Sequence, residues 1–201
     1  MKNLGKKTNI FILIFCISLF FITSCVNNKS YFPKPKGYFR IDLPEKRYIL
    51  FDSTCPYTFE YPVYARVVPD KGTNAEPYWI NVDFPHFRGR VNISYKFVKN
   101  NLTRYAEDAY TLVMKHIPKA DNIDNERIDI KEHNVYGLIY TIEGTGAASP
   151  CQFFVTDSVA NFVRGALYFN TTPNNDSLAP VIDFIKEDIQ HLIKTFRWKK
   201  G

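Results

Sequence analysis

Hydrophobic and polar positions alternate strictly along two stretches in the first half of the chain. Over residues 79–84, Ile80, Val82 and Phe84 share one face and Asn81 and Asp83 the other. Over residues 91–97, Val91, Ile93, Tyr95 and Phe97 oppose Asn92, Ser94 and Lys96. A period of two marks a half-buried strand. His86-Phe87-Arg88-Gly89 between them is a turn of hairpin length, so the two strands are expected to pair antiparallel. Residues 57–61, bounded by Pro56 and Pro62, read as a further short strand. The period then changes. Leu102, Tyr105, Ala106, Ala109, Leu112, Val113, His116 and Ile117 fall on one stripe of a helix that Pro118 closes, with Arg104, Glu107, Asp108 and Lys115 largely outside it. Strands return over 127–130, 135–142, 151–156 and 163–169, joined by short polar turns that predict antiparallel order. A closing helix follows the N-cap candidates at 174–177. Its stripe is Val181, Ile182, Ile185, Ile189, Leu192, Ile193 and Phe196, with Trp198 pinning its end and Glu187-Asp188 on the expected solvated side. Residues 41–201 thus predict one α+β domain, a mostly antiparallel sheet flanked by helices.

The first 40 residues follow neither period. Lys2, Lys6 and Lys7 precede an almost unbroken apolar tract over 10–22, the length of a signal-peptide core. It falls short of the about 20 apolar residues that a membrane-spanning helix needs. The tract ends at Ile22-Thr23-Ser24-Cys25, and the chain then turns polar. An aliphatic residue, two small ones and a cysteine in that order resemble the lipobox of bacterial lipoproteins. The resemblance implies removal of residues 1–24 as a signal peptide and attachment of diacylglycerol to the Cys25 thiol. Membrane lipid, through acylated Cys25, is then the first expected partner. Several acyl chains hold more firmly than one, since each buried methylene contributes about 0.8 kcal/mol.

Residues 25–40 carry the lipidated cysteine and VNNKSYFPKPKGYFR, whose prolines and lysines read as an extended tether. Tyr31, Phe32, Tyr38 and Phe39 are unneeded in an inert spacer. With Lys34, Lys36 and Arg40 they are the candidate contacts for a partner or for the domain itself.

Composition narrows the class. The full chain holds 26 Lys and Arg against 20 Asp and Glu, a charge of +6 that falls to +3 without Lys2, Lys6 and Lys7. That mild balance, with no basic run interleaved with aromatics, argues against a nucleic-acid binder. Aromatic residues make up 16% of the chain, which favours a substantial core or an aromatic contact surface. Of the four cysteines, Cys16 leaves with the signal peptide and Cys25 takes the lipid. Cys55 and Cys151 remain, in an exported chain either a disulfide or two buried thiols.

Catalytic signatures are absent from the sequence. No G-x-S-x-G occurs, and Gly144-Thr145-Gly146 reads as a turn. His86, His116, His133 and His191 stand apart with no metal-ligand spacing. The acids over 121–129 read as a polar loop. No catalytic residue, metal ligand or cofactor is expected, and an enzyme is the least favoured class. Asp52-Ser53-Thr54, Asp157-Ser158-Val159 and Asp176-Ser177-Leu178 resemble the acceptor tripeptide of Bacteroidetes-type O-glycosylation, making Ser53, Ser158 and Ser177 candidate sites. Ordinary turn and cap chemistry explains the same residues.

Four longer segments carry a wider resemblance: YFPKPKGYFRIDLP at 31–44, CPYTFEYPVYA at 55–65, VYGLIYTIEG at 135–144 and RGALYFNTTPNNDSLAPVIDFI at 164–185. They resemble GldD, a gliding-motility lipoprotein family of Bacteroidetes, over nearly all the chain after Cys25. The resemblance implies a non-catalytic cell-envelope lipoprotein of the gliding machinery and the type IX secretion coupled to it. Its partners would be other gliding and secretion envelope proteins. The element order also resembles the Mog1/PsbP-like fold. Val26 to Ser30 lack the acidic cluster of a surface-export signal, so the domain is expected to face the periplasm, with the membrane left open. The alternative is a periplasmic lipoprotein that binds a small ligand or glycan. A deep apolar pocket with convergent polar groups would mark that class, and an exposed aromatic patch beside the tether would mark an interaction subunit.

Overall fold

The computed structural model describes residues 41–199; the lipobox, Cys25 and the tether candidates from Tyr31 to Arg40 lie outside the described residues. In chain order the elements are β1 (Tyr48–Phe51), β2 (Tyr57–Pro62), β3 (Arg66–Pro69), β4 (Ile80–Phe84), β5 (Gly89–Phe97), α1 (Leu102–Met114), β6 (Asn122–Ile130), β7 (Val135–Glu143), β8 (Cys151–Thr156), β9 (Asn161–Phe169), α2 (Asn175–Thr195) and β10 (Arg197–Trp198). Seven strands form an antiparallel sheet in the order β3-β4-β5-β9-β8-β7-β6, and three form a smaller one, β1-β2-β10. The fold is α+β, with mostly antiparallel sheets and two helices, as the patterning predicts.

The alternation read for β4 and β5 sets their register, with Ile80 opposite Ile93 and Val82 opposite Val91. Those four side chains face α2, whose Val181, Phe184, Ile185, Ile189 and Leu192 join Tyr57 and Phe59 of β2 in the larger core. Each fully buried aliphatic or aromatic side chain there contributes about 1.5–3 kcal/mol. The opposite face of the large sheet is covered at one end. Ala109 and Val113 of α1 pack on Tyr140, Ile142, Phe154 and Phe162 of β7, β8 and β9.

Two elements differ from expectation. Pro118 draws residues 117–119 into a 3₁₀ turn, so α1 stops at Met114 and Ile117 stays 58% exposed. Residues 122–126, expected as loop, extend β6, an edge strand whose Asp124, Glu126, Arg127 and Asp129 discourage pairing with another chain. Two further turns match each other. A 3₁₀ turn over Pro85–Phe87 joins β4 to β5 and ends on Arg88 at φ 52°, and one over Lys131–His133 joins β6 to β7 and ends on Asn134 at φ 51°.

Candidate functional site

Strand register lines up one polar row across four strands on the face that α1 leaves uncovered. Arg66 of β3 lies opposite Asp83 of β4, Asp83 opposite Arg90 of β5, and Arg90 opposite Tyr168 of β9. Their side chains share a face because each strand's inward positions alternate with them. The Asp83 carboxylate accepts two hydrogen bonds from Arg90, at 2.6 Å from Nε and 3.2 Å from Nη2, and this contact raises the arginine's pKa. The row lines a cavity of about 620 Å³, completed by Arg88, Asn92 and Asn170 among others. The neighbouring row on the same face carries Asn81, Asn92 and Gln152, with Asn81 and Gln152 buried. Beyond it Arg164 donates to Gln152 Oε1, and burial lowers its pKa against the opposing contact with Tyr168. The Asn81 Oδ1, Gln152 Nε2 and Arg164 Nε atoms are buried without a hydrogen-bond partner among the described residues. The chemistry on offer is anion and hydroxyl recognition: planar guanidinium forks, amides and a phenol.

A second polar cluster fastens the small sheet to α2. Asp188, expected on the solvated side of the helix, is 2% exposed. It accepts from Lys46 Nζ at 2.9 Å, Tyr48 Oη at 2.9 Å and Tyr64 Oη at 2.6 Å. Lys46 also donates to the Phe184 carbonyl at 2.7 Å, lies 4.0 Å from the centroid of that ring, and pairs with exposed Glu187. Burial, then the bond to Asp188, pushes both tyrosine hydroxyls well above their ordinary pKa, so they remain donors. His191 stacks on Tyr48 with ring centroids 3.6 Å apart and meets Glu60 at 2.6 Å. The signal for Asp188 was present in the sequence. It sits four residues after Phe184 and four before Leu192, inside the apolar stripe.

The other predicted residues fall as follows. Cys55 and Cys151 are both free and buried, one in the β1–β2 connection and the other opening β8 in the large sheet. The disulfide reading therefore gives way to the two-thiol reading. Burial pushes the Cys151 thiol up to about 12, so little thiolate forms. Ser53, Ser158 and Ser177 are exposed. Ser53 Oγ accepts from the Cys55 amide, and Asn174, not Ser177, caps α2. Asp157 gathers the amides of Val159, Ala160 and Asn161 and the Asn161 side chain, which hold its pKa down although burial works to raise it. The Gly144–Gly146 segment is a turn that docks on α2 through Asn175, whose side chain donates to the Gly144 and Ala147 carbonyls. His86 and His133 lie in the two separate 3₁₀ turns, and His116, just past α1, bonds the Leu112 and Val113 carbonyls in the last turn of that helix. Among the described residues no three metal-ligating side chains gather, and no helix is long and apolar enough to cross a membrane.

Fold and site together define an α+β domain that presents an arginine-lined sheet face. A family model described as gliding motility lipoprotein GldD matches residues 28–198. The chain belongs to that family, whose members are lipoproteins of gliding motility. No curated protein matches it. Among solved structures it is similar to cyanobacterial PsbP (CyanoP) from Synechocystis sp. PCC 6803, at 11% identity and a TM-score of 0.46, over 80% of this chain and 97% of that one. That likeness concerns fold alone.

Proposed function

We propose that this chain is a lipid-anchored, non-catalytic subunit of the gliding machinery and of the type IX secretion associated with it. It is held through Cys25, faces the periplasm, and contacts other gliding and secretion envelope proteins. The observation that carries this reading is the match to a gliding motility lipoprotein family over residues 28–198, which opens three residues after the lipobox cysteine. The 21 chain steps from Cys25 to Lys46 allow a stand-off of at most about 75 Å. Leu43, Ile49 and Leu50, exposed at 42, 45 and 60%, supply apolar contact surface on and just before β1, an edge strand among the described residues. This patch is aliphatic, not the aromatic patch that would mark an interaction subunit. Ser53, Ser158 and Ser177 are proposed O-glycan acceptors, since all three residues are exposed.

Metabolic labelling with an alkyne fatty acid tests the anchor. Label is expected on the wild-type protein and absent from Cys25→Ser, whose cells lose spreading. Label retained on Cys25→Ser removes the lipobox reading. Crosslinking followed by purification of the tagged protein is expected to recover other envelope components of the machinery.

A further inference from the structure

We propose that the face built by Arg66, Arg88, Arg90 and Tyr168 binds an acidic sugar, a glycan unit whose carboxylate or phosphate is taken by the arginines. This goes beyond the anchoring role and is unaffected by whether Cys25 is lipidated.

Three observations lead to it. The first is unbalanced charge inside a cavity of ligand size, about 620 Å³. Arg90 is neutralised by Asp83, the only acid among the described lining residues, and Asp70 also acts on Arg90. Arg66 and Arg88 line the same cavity with no acidic partner among the described residues.

The second is a backbone comparison within the molecule. The turns ending on Arg88 and Asn134 share one conformation: the residues before them, Phe84 and Ile130, sit at φ −111°, ψ 79° and φ −105°, ψ 80°, and both end left-handed. Asparagine is the residue such a position favours, because its short side chain bonds locally. Arginine gains nothing from that backbone. It is nonetheless held there by its own amide bonding to Pro85 and by the Asn170 amide donating to its carbonyl at 2.8 Å. A guanidinium kept on an unfavourable backbone at a polar cavity suits oxyanion recognition, since its planar fork matches carboxylate and phosphate oxygens two at a time.

The third is the neutral lining. Asn92, Asn170 and the Tyr168 phenol offer hydrogen bonds and a ring to sugar hydroxyls and C–H groups. Apolar lining is confined to Phe84, Pro85, Phe169 and the arginine stems, too little for an acyl chain. One row further in, buried Gln152 Nε2 and Asn81 Oδ1 remain without partners among the described residues.

Calorimetric titration of the full-length lipidated protein in nonionic micelles tests the proposal, with tetragalacturonate, its methyl ester and inorganic phosphate as probes. Tetragalacturonate is expected to bind, and the uncharged ester to bind at least about tenfold more weakly, the effect of one lost charge-assisted hydrogen bond. Arg66→Gln and Arg88→Asn are each expected to weaken tetragalacturonate binding by about the same factor. Arg88→Asn should at the same time keep or raise Tm, because asparagine suits the left-handed backbone. Binding lost together with Tm in Arg88→Asn, while Arg66→Gln binds normally, would make Arg88 merely structural and overturn the site. So would equal binding of acid and ester, or no binding of tetragalacturonate. Inorganic phosphate binding as tightly as the tetrasaccharide, or binding only of phosphatidylglycerol doped into the micelles, overturns the sugar assignment.

Discussion

The Lys46 ammonium lies 2.9 Å from the Asp188 carboxylate, joining the segment just before β1 to the middle of α2 across 142 residues of chain. The carboxylate is almost wholly buried, and two tyrosine hydroxyls share it. Removing it leaves the Tyr48 and Tyr64 hydroxyls without this acceptor and Lys46 with only the Phe184 carbonyl and exposed Glu187. Asp188→Ala is therefore expected to destabilise the domain by about 3 kcal/mol or more. Asp188→Asn, which keeps an acceptor oxygen, should lose clearly less. Urea unfolding of the two variants decides it, and a loss under about 0.5 kcal/mol for Asp188→Ala would reduce the cluster to surface decoration.

Tight strand contacts make a second expectation. A Cβ at Gly137 would stand 1.9 Å from the Phe154 carbonyl oxygen, and one at Gly165 would stand 2.2 Å from the Phe153 ring. Backbone cannot swing aside as a side chain can, so Gly137→Ala should separate β7 from β8 and cost about 3 kcal/mol or more. Gly165→Ala, facing a ring in the core, should cost less only if Phe153 finds another rotamer. Comparing their Tm values tests that order.

The free thiols give a third. Cys55 is 6% exposed and Cys151 not at all. Both should resist maleimide in the native protein and react fully in denaturant, without reductant. A denatured protein that takes no label at these positions until reduced would restore the disulfide.

Acid should act through Asp157. Its folded pKa lies below the ordinary carboxylate value, so its contribution to stability is complete above that unfolded value and is lost as pH falls through the depressed folded one. The stability gap between wild type and Asp157→Ala is expected to be constant near neutral pH and to shrink below about pH 4. A gap that persists unchanged at pH 2.5 would mean the carboxylate's charge does not matter to the turn.

For the tether, changing Lys34 and Lys36 together to Glu should abolish gliding while the protein stays abundant, folded and lipidated. Prolines limit the entropy such a sequence loses on binding, and its lysines supply the charge a partner would meet. Normal spreading by that double variant would move the contact to the domain's own face.

Much of the fold was legible from its apolar patterning. The β4–β5 hairpin alternates because β5 is half-buried, and α2 carries a helical stripe, whereas β8, buried at all six positions, reads only as a short apolar run between turns. The short edges carry no such pattern. β1 has Ile49 and Leu50 exposed on successive positions, β3 is four residues ending in Pro69, and β10 is two residues defined only by its bonds to β2. None has a periodicity to detect. The arginine face was half legible. Arg90, Asn92, Ser94 and Lys96 lie on the polar side of β5, but only the sheet order brings Arg66 and Tyr168 beside them. Asp188 was misread because the polar side of a helix was assumed to meet water, whereas Lys46, Tyr48 and Tyr64 cover it.

The small sheet also bears on how the domain would carry load. β1 pairs with one edge of β2 and β10 with the other, so the beginning and end of the described chain converge on a single strand. Tension arriving from the amino end meets the Lys46–Asp188 contact first and the four-residue β1–β2 ladder second. It acts as a fuse placed ahead of a zipper. The strands that build the arginine face belong to the other sheet, so stripping β1 from β2 breaks none of the ladders that hold Arg66, Arg90 and Tyr168 in register.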